Sequence, residues 1–180
     1  MRSAVGEFFV SDGYGNSRIV KFSASGARRC EWGRRGTGPG EFHTPHVITL
    51  DHDGRLYVAD RENDRVQIFD QSGALLAIWP DLHSIDGLHV ARDGSLYGAS
   101  GIDNALLRFN SQGRIVDACS APGMFRYPHA VASDATGALY TAETGDVWVV
   151  TGRAPGERFC CERSGSEGSG VKKLVVASAT

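Results

Sequence analysis

Two histidines stand in the same setting twice over, in Pro39-Gly40-x-Phe42-x-x-Pro45-His46 and in Pro122-Gly123-x-Phe125-x-x-Pro128-His129, with every member 83 positions apart. Neutral imidazole is a common zinc ligand, and two imidazoles delivered from equivalent places in repeated units can serve one ion. A plainer role is equally open, in which each histidine caps its Pro turn and hydrogen-bonds a backbone carbonyl. Asp86 falls in the same register, eight residues before Gly94 as His46 is eight before Gly54. His43, His52, His83 and His89 do not recur at matching positions and read as loop or surface residues. The run Asp60-Arg61-Glu62-Asn63-Asp64-Arg65 reads as a turn whose charges form mostly a solvated face with internal ion pairs. Its counterpart, Asp12-Gly13-Tyr14-Gly15-Asn16-Ser17-Arg18, has one residue inserted and places an aromatic ring among glycines.

The elements that carry these residues repeat with a period of about 40. Gly54 and Gly94, Tyr57 and Tyr97, Phe69 and Phe109, and Gly73 and Gly113 are each 40 apart, and Tyr97 to Tyr140 is 43. Within a unit, Leu56-Tyr57-Val58-Ala59-Asp60 and Arg65-Val66-Gln67-Ile68-Phe69 have the β-branched, alternating character of strands. Asp70-Gln71-Ser72-Gly73 reads as a hairpin turn with glycine where φ is positive. Trp32 and Trp79 recur on outer strands, as packing residues. No stretch shows a helical period, so the repeat predicts an all-β β-propeller built from four-stranded blades.

Two whole blades are expected at about 42–80 and 85–119, with partial ones at 6–33 and from 128 onward, the first without its inner strand. About four blades are too few for a six-bladed ring, so about two more are expected before Met1. Residues 1–150 are read as a partial propeller. Residues 151–180, rich in Gly and Ser, are read as a low-complexity segment or unfinished last blade with a flexible tail.

With 180 residues, 41% hydrophobic content and a net charge of −2, the chain has the make-up of a soluble globular domain. That charge balance offers nothing for nucleic acid or an anionic membrane, and no signal-length or spanning apolar segment is visible. Cys30, Cys119, Cys160 and Cys161 follow no zinc-finger spacing and do not fix a compartment.

The string Val10-Ser11-Asp12-Gly13-Tyr14-Gly15-Asn16-Ser17-Arg18-Ile19-Val20, followed by Pro45-His46, Val58-Ala59-Asp60-Arg61-Glu62-Asn63 and Pro128-His129, closely resembles the peptidyl-α-hydroxyglycine α-amidating lyases, members of the NHL-repeat propellers. The likeness covers about residues 6–150. It implies a six-bladed propeller in which zinc, held by three histidines, supports cleavage of a peptidyl-α-hydroxyglycine into a peptide amide and glyoxylate. By position, His46 and His129 match two zinc ligands, Tyr14 the active-site tyrosine, and Arg61 the arginine that faces the substrate.

The resemblance also implies that the third histidine and a further arginine belong to blades preceding Met1. Where the animal enzymes have a methionine, a calcium-binding aspartate and bridging cysteines, this chain has Tyr127, Ala130, and Gly15, Tyr57 and Ile68. The aspartate's absence argues against calcium, and those disulfides cannot form. The reading is therefore a zinc lyase acting on a small peptide or hydroxyglycine-type substrate. The alternative is a non-catalytic NHL propeller that presents its loops to a protein or small ligand.

Overall fold

The computed structural model describes residues 6–143, 147–151, 162–163 and 171–175. Its strands are β1 Phe8–Asp12, β2 Arg18–Phe22, β3 Arg28–Trp32, β4 Pro45–Leu50, β5 Leu56–Asp60, β6 Arg65–Phe69, β7 Leu75–Trp79, β8 Ile85–Val90, β9 Leu96–Ser100, β10 Ala105–Phe109, β11 Ile115–Cys119, β12 Pro128–Ser133, β13 Ala138–Glu143, β14 Val147–Thr151, β15 Glu162–Arg163 and β16 Val171–Val175. They form four meandering sheets, ordered β1-β2-β3, β4-β5-β6-β7, β11-β10-β9-β8 and β12-β13-β14-β16-β15. Among the described residues the first sheet has three strands, without an inner member, and the two whole blades fall where the repeat puts them. In the last sheet β16 runs parallel to β14, and β15 antiparallel to β16. The rest of the segment read as a tail lies outside the described residues. Among the described residues, no helix is long and apolar enough to cross a membrane.

The chain divides into two compact units, Met1–Ile85 and Asp86–Thr180, each with its own core. In the first, Phe9, Ile19, Phe42, Leu56, Val58 and Phe69 cluster, with Trp32 packed against them. In the second, Tyr97, Ala99, Leu106, Met124, Phe125 and Leu139 belong to one cluster. Phe42 and Phe125 are the aromatic members of the duplicated phrase. The phrase is thus pinned by burial three residues before its proline, at about 1.5–3 kcal/mol for such a side chain. A Cβ on Gly33 would strike the Phe42 ring, so glycine is needed for the chain to pass over it.

The recurring Asp-x-x-Gly-x-Leu-Tyr string is a turn closed from both sides. Asp51 Oδ1 accepts from the Asp53 and Arg55 amides at 3.0 and 2.8 Å, while Tyr57 donates its hydroxyl to Oδ2 at 3.1 Å. Gly54 takes the positive φ, +82°. Asp134 repeats the arrangement, with Thr136 Oγ1 at 2.6 Å and the Tyr140 hydroxyl at 2.8 Å. Burial, together with the Asp51 carboxylate, pushes the Tyr57 hydroxyl up to about 12.

Asp60 departs from the solvated reading of its charge run. It is fully buried, and its carboxylate accepts from the His43 amide at 2.6 Å, Asn63 Nδ2 at 2.8 Å, Arg65 Nε at 2.8 Å and Gln67 Nε2 at 3.1 Å. Arg65 extends from there to the carbonyls of Thr37, Gly38 and Glu41, and Gln67 bonds the Gly40 amide and the Glu41 carbonyl. The spacing of a charge run gives no depth. Here four donors around one carboxylate remove the cost of burying it.

Asp60→Ala leaves the Arg65 guanidinium buried without its counter-charge, so a loss of about 3–5 kcal/mol is expected, read as a lower urea midpoint at constant m-value. A second expectation concerns acid. Hydrogen bonds from Thr136 first, then Tyr140, hold the Asp134 carboxyl down from 3.8 to about 2. A lowered folded pKa contributes stability that is complete above about pH 4 and vanishes as pH falls toward about 2. Asp134→Asn should flatten that part of the pH dependence of thermal stability while leaving the profile's shape above about pH 5 unchanged.

Candidate functional site

His46 is the second residue of β4, at a break in the ladder: Pro45 pairs with Asp60 and Val47 with Ala59. An unopposed residue of this kind turns its side chain away from the regular pleat. The bend begins at Thr44, held at φ +64° although it precedes a proline. Its carbonyl accepts from the Arg61 amide at 3.1 Å, and the His43 carbonyl from the Glu62 amide at 3.1 Å. The Asp60 network anchors the same stretch through the His43 amide.

Tyr14 lies on α1, Gly13–Asn16, a single helical turn that replaces the 3-10 turn Arg61–Asn63 of the next blade. The inserted residue is what lengthens the turn. At its base, Asp12 Oδ2 accepts from Asn16 Nδ2 and Arg18 Nε, both at 2.9 Å. A Cβ on Gly13 would collide with the Pro45 carbonyl, so only glycine lets the turn sit against the start of β4. Tyr14 is 80% exposed, yet its hydroxyl lies 3.0 Å from His46 Nε2. The Arg61 guanidinium stands 5.8 Å from the centre of the Tyr14 ring, a cation–π distance. Arg61 Nε and Nη2 both donate to Glu62 Oε1, at 2.9 and 2.8 Å. The first unit therefore brings together three of the residues singled out in the sequence: Tyr14, His46 and Arg61. Glu62 completes the arrangement through one of the internal ion pairs expected of the charge run, and Gly13 completes it through a close approach that its type and spacing did not announce.

The second unit holds His129, again the second residue of its strand and again at a ladder break, with Pro128 opposite Glu143 and Ala130 opposite Ala142. Tyr127 before it has φ +57°, and its amide donates to Asn104 Oδ1 at 2.7 Å. The Tyr127 and His129 rings lie 6.3 Å apart. His129 Nε2 is 3.9 Å from Oδ1 of the buried Asp86, whose Oδ2 accepts from the Gly101 amide at 3.1 Å.

His89 corrects the sequence reading. It lies within β8, half-buried, with Nε2 2.7 Å from Ser133 Oγ, and burial lowers its pKa. His52 and His83 are exposed, as expected.

Adding one methyl at Gly13 should push α1 off Pro45 and part Tyr14 from His46. The Gly13→Ala chain is expected to lose about 1–3 kcal/mol. In NMR spectra its His46 ring resonances should move as they do in Tyr14→Phe. Unmoved resonances would show that Gly13 does not set the distance.

Comparison with known proteins gives the lineage. Residues 42–69 match the NHL repeat family. Peptidylglycine alpha-amidating monooxygenase of Rattus norvegicus is 32% identical over 94% of this chain, which spans 19% of that protein. NHL repeat-containing protein 3 of Mus musculus is 36% identical over 78% of the chain and 44% of its own length. Peptidyl-alpha-hydroxyglycine alpha-amidating lyase 2 of Drosophila melanogaster is 35% identical over 79% of the chain and 38% of its own length. The chain thus spans less than half the length of these relatives. Among solved structures, a streptogramin B lyase has a TM-score of 0.65 at 17% identity, covering 89% of this chain and 56% of that one. The WD40 repeats of RRP9 have a TM-score of 0.62 at 20% identity, covering 82% of this chain and 48% of that one. At such identities the likeness shows the fold alone, an all-β protein of the β-propeller class.

Proposed function

We propose that this chain, which belongs to the NHL-repeat β-propellers and has the peptidyl-α-hydroxyglycine α-amidating lyases among its relatives, is part of a zinc-dependent lyase that cleaves a peptidyl-α-hydroxyglycine into a peptide amide and glyoxylate. The observation that carries this reading is the grouping of Tyr14, His46 and Arg61 in the first unit, at positions that match the family's active-site tyrosine, a zinc ligand and the substrate arginine. His129 is the second family-matched ligand.

The donor chemistry fits zinc. His46 presents Nε2 on the Tyr14 side, and in the second unit an imidazole faces a carboxylate, both donor types that zinc accepts. Bound there, zinc would supply Lewis acidity toward the substrate hydroxyl. The chain's own residues carry the remaining steps. Tyr14 takes the hydroxyl proton. The oxygen's electron pair forms the aldehyde carbonyl of glyoxylate as the carbon–nitrogen bond breaks, and the departing amide nitrogen takes up a proton. Tyr14 acts as a base in its phenolate form, and the Arg61 guanidinium beside its ring is complementary to the negative charge that form carries before the transfer. Arg61 also offers a fork for the substrate carboxylate, which must displace Glu62 to use it.

A second reading rests on the similarity to NHL repeat-containing protein 3: a propeller without catalysis, offering its loops to a protein or small ligand. The two separate in one assay. The lyase reading expects stoichiometric zinc, glyoxylate release from an α-hydroxyglycine peptide, and a fall in kcat of about 10²–10⁴-fold for Tyr14→Phe. Neither zinc nor glyoxylate, with ligand binding intact in His46→Ala and His129→Ala, would establish the second reading instead.

A further inference from the structure

We infer that Asp86 is a metal donor in its own right, a carboxylate bound to the same ion as His129. This rests on the zinc reading and extends it to a residue type outside the three-histidine set.

Three strands that begin after a non-glycine residue with positive φ carry the argument. Thr44, Ser84 and Tyr127 have φ of +64°, +43° and +57°, and two residues later stand His46, Asp86 and His129. The backbone device that presents an imidazole from β4 and from β12 therefore presents a carboxylate from β8.

Within the second unit the carboxylate is built in and aimed. Asp86 is only 2% exposed, and the Gly101 amide holds its Oδ2 at 3.1 Å. A Cβ on Gly101 would strike that oxygen and the Tyr127 ring, so glycine is the residue that leaves the carboxylate in place. Gly87 performs the matching service for the backbone, since a Cβ there would come within 2.9 Å of Ala130 Cα. Two glycines thus allow the neighbours of Asp86 and His129 to approach closely.

The remaining oxygen, Oδ1, lies 3.9 Å from His129 Nε2. That is too long for a hydrogen bond. Two donors on one tetrahedral zinc ion, with bonds of about 2.0–2.2 Å, stand about 3.4 Å apart, so a closure of about half an ångström brings this pair onto one ion.

The experiment measures zinc affinity of the chain by competition with a chromophoric chelator and, after cobalt substitution, the visible ligand-field spectrum, in wild type, Asp86→Asn, Gly101→Ala and His129→Ala. Asp86→Asn keeps the side chain's size and an acceptor for the Gly101 amide. Gly101→Ala displaces the carboxylate without removing it, so it tests the site even if the asparagine variant folds poorly. The expected result is zinc affinity lowered by at least about tenfold in both, with a changed cobalt spectrum at saturation. Wild-type affinity and spectrum in both variants overturn the assignment of Asp86 while leaving zinc at His129. Weakened affinity with an unchanged spectrum also overturns it, because Asp86 would then only position His129. A wild-type chain that binds no zinc overturns the zinc reading and this one together.

Discussion

The first unit is organised around one buried carboxylate. Asp60 gathers a backbone amide from the loop before β4 and two side-chain amides and a guanidinium from the turn after β5 and from β6, and so ties that loop to the hairpin. Without the charge, Arg65 would have no reason to thread beneath the 34–44 loop and bond its carbonyls. Without that loop in place, Phe42 would not seat in the core, and Thr44 would not be forced into its bend. His46 owes its aim to a residue fourteen positions along the chain. The first sheet repeats the device with Asp12, Asn16 and Arg18. In the third sheet Ser100 stands in the place of the aspartate and bonds Asp103 instead, a lighter version of the same lock.

Much of this architecture is legible in the sequence because the repeat supplies its own alignment. Glycines 40 residues apart mark hairpins, and alternating apolar residues between them mark strands, so the sheets and even the missing inner strand of the first follow from register. Tyr14 and Arg61 stand out for a different reason, since their local strings match a family motif, whereas His46 is marked by the duplicated phrase as well. Depth is what the string of letters withholds. Asp60 and Glu62 look alike in a charged run, yet one is sealed and the other half open, because β5 is buried along its whole length to Asp60 and the turn that follows is not. His89 was misjudged for a related reason. Isolated from any repeat partner, it reads as surface, but it belongs to a strand packed close to its neighbour.

The two ladder breaks at His46 and His129 show how a sheet can serve a site without giving up its hydrogen bonds. A regular strand would send the second side chain to the face dictated by the pleat. The extra residue relaxes that rule at one point only, and pairing resumes at Val47 and Ala130. The positive φ ahead of each strand costs about 1–3 kcal/mol. The compensation comes from bonds that surround it, such as Asn104 Oδ1 on the Tyr127 amide.

The helical turn that carries Tyr14 differs from its counterpart by one residue, yet Asp12 still faces Arg18 across the hairpin as Asp60 faces Arg65. The insertion is absorbed wholly outside the ladder. Blades built this way separate inheritance into two channels: the paired strands keep a fixed beat when a unit is copied, while the loop between them is at liberty to lengthen, gain an aromatic and take on work its sister loops do not perform.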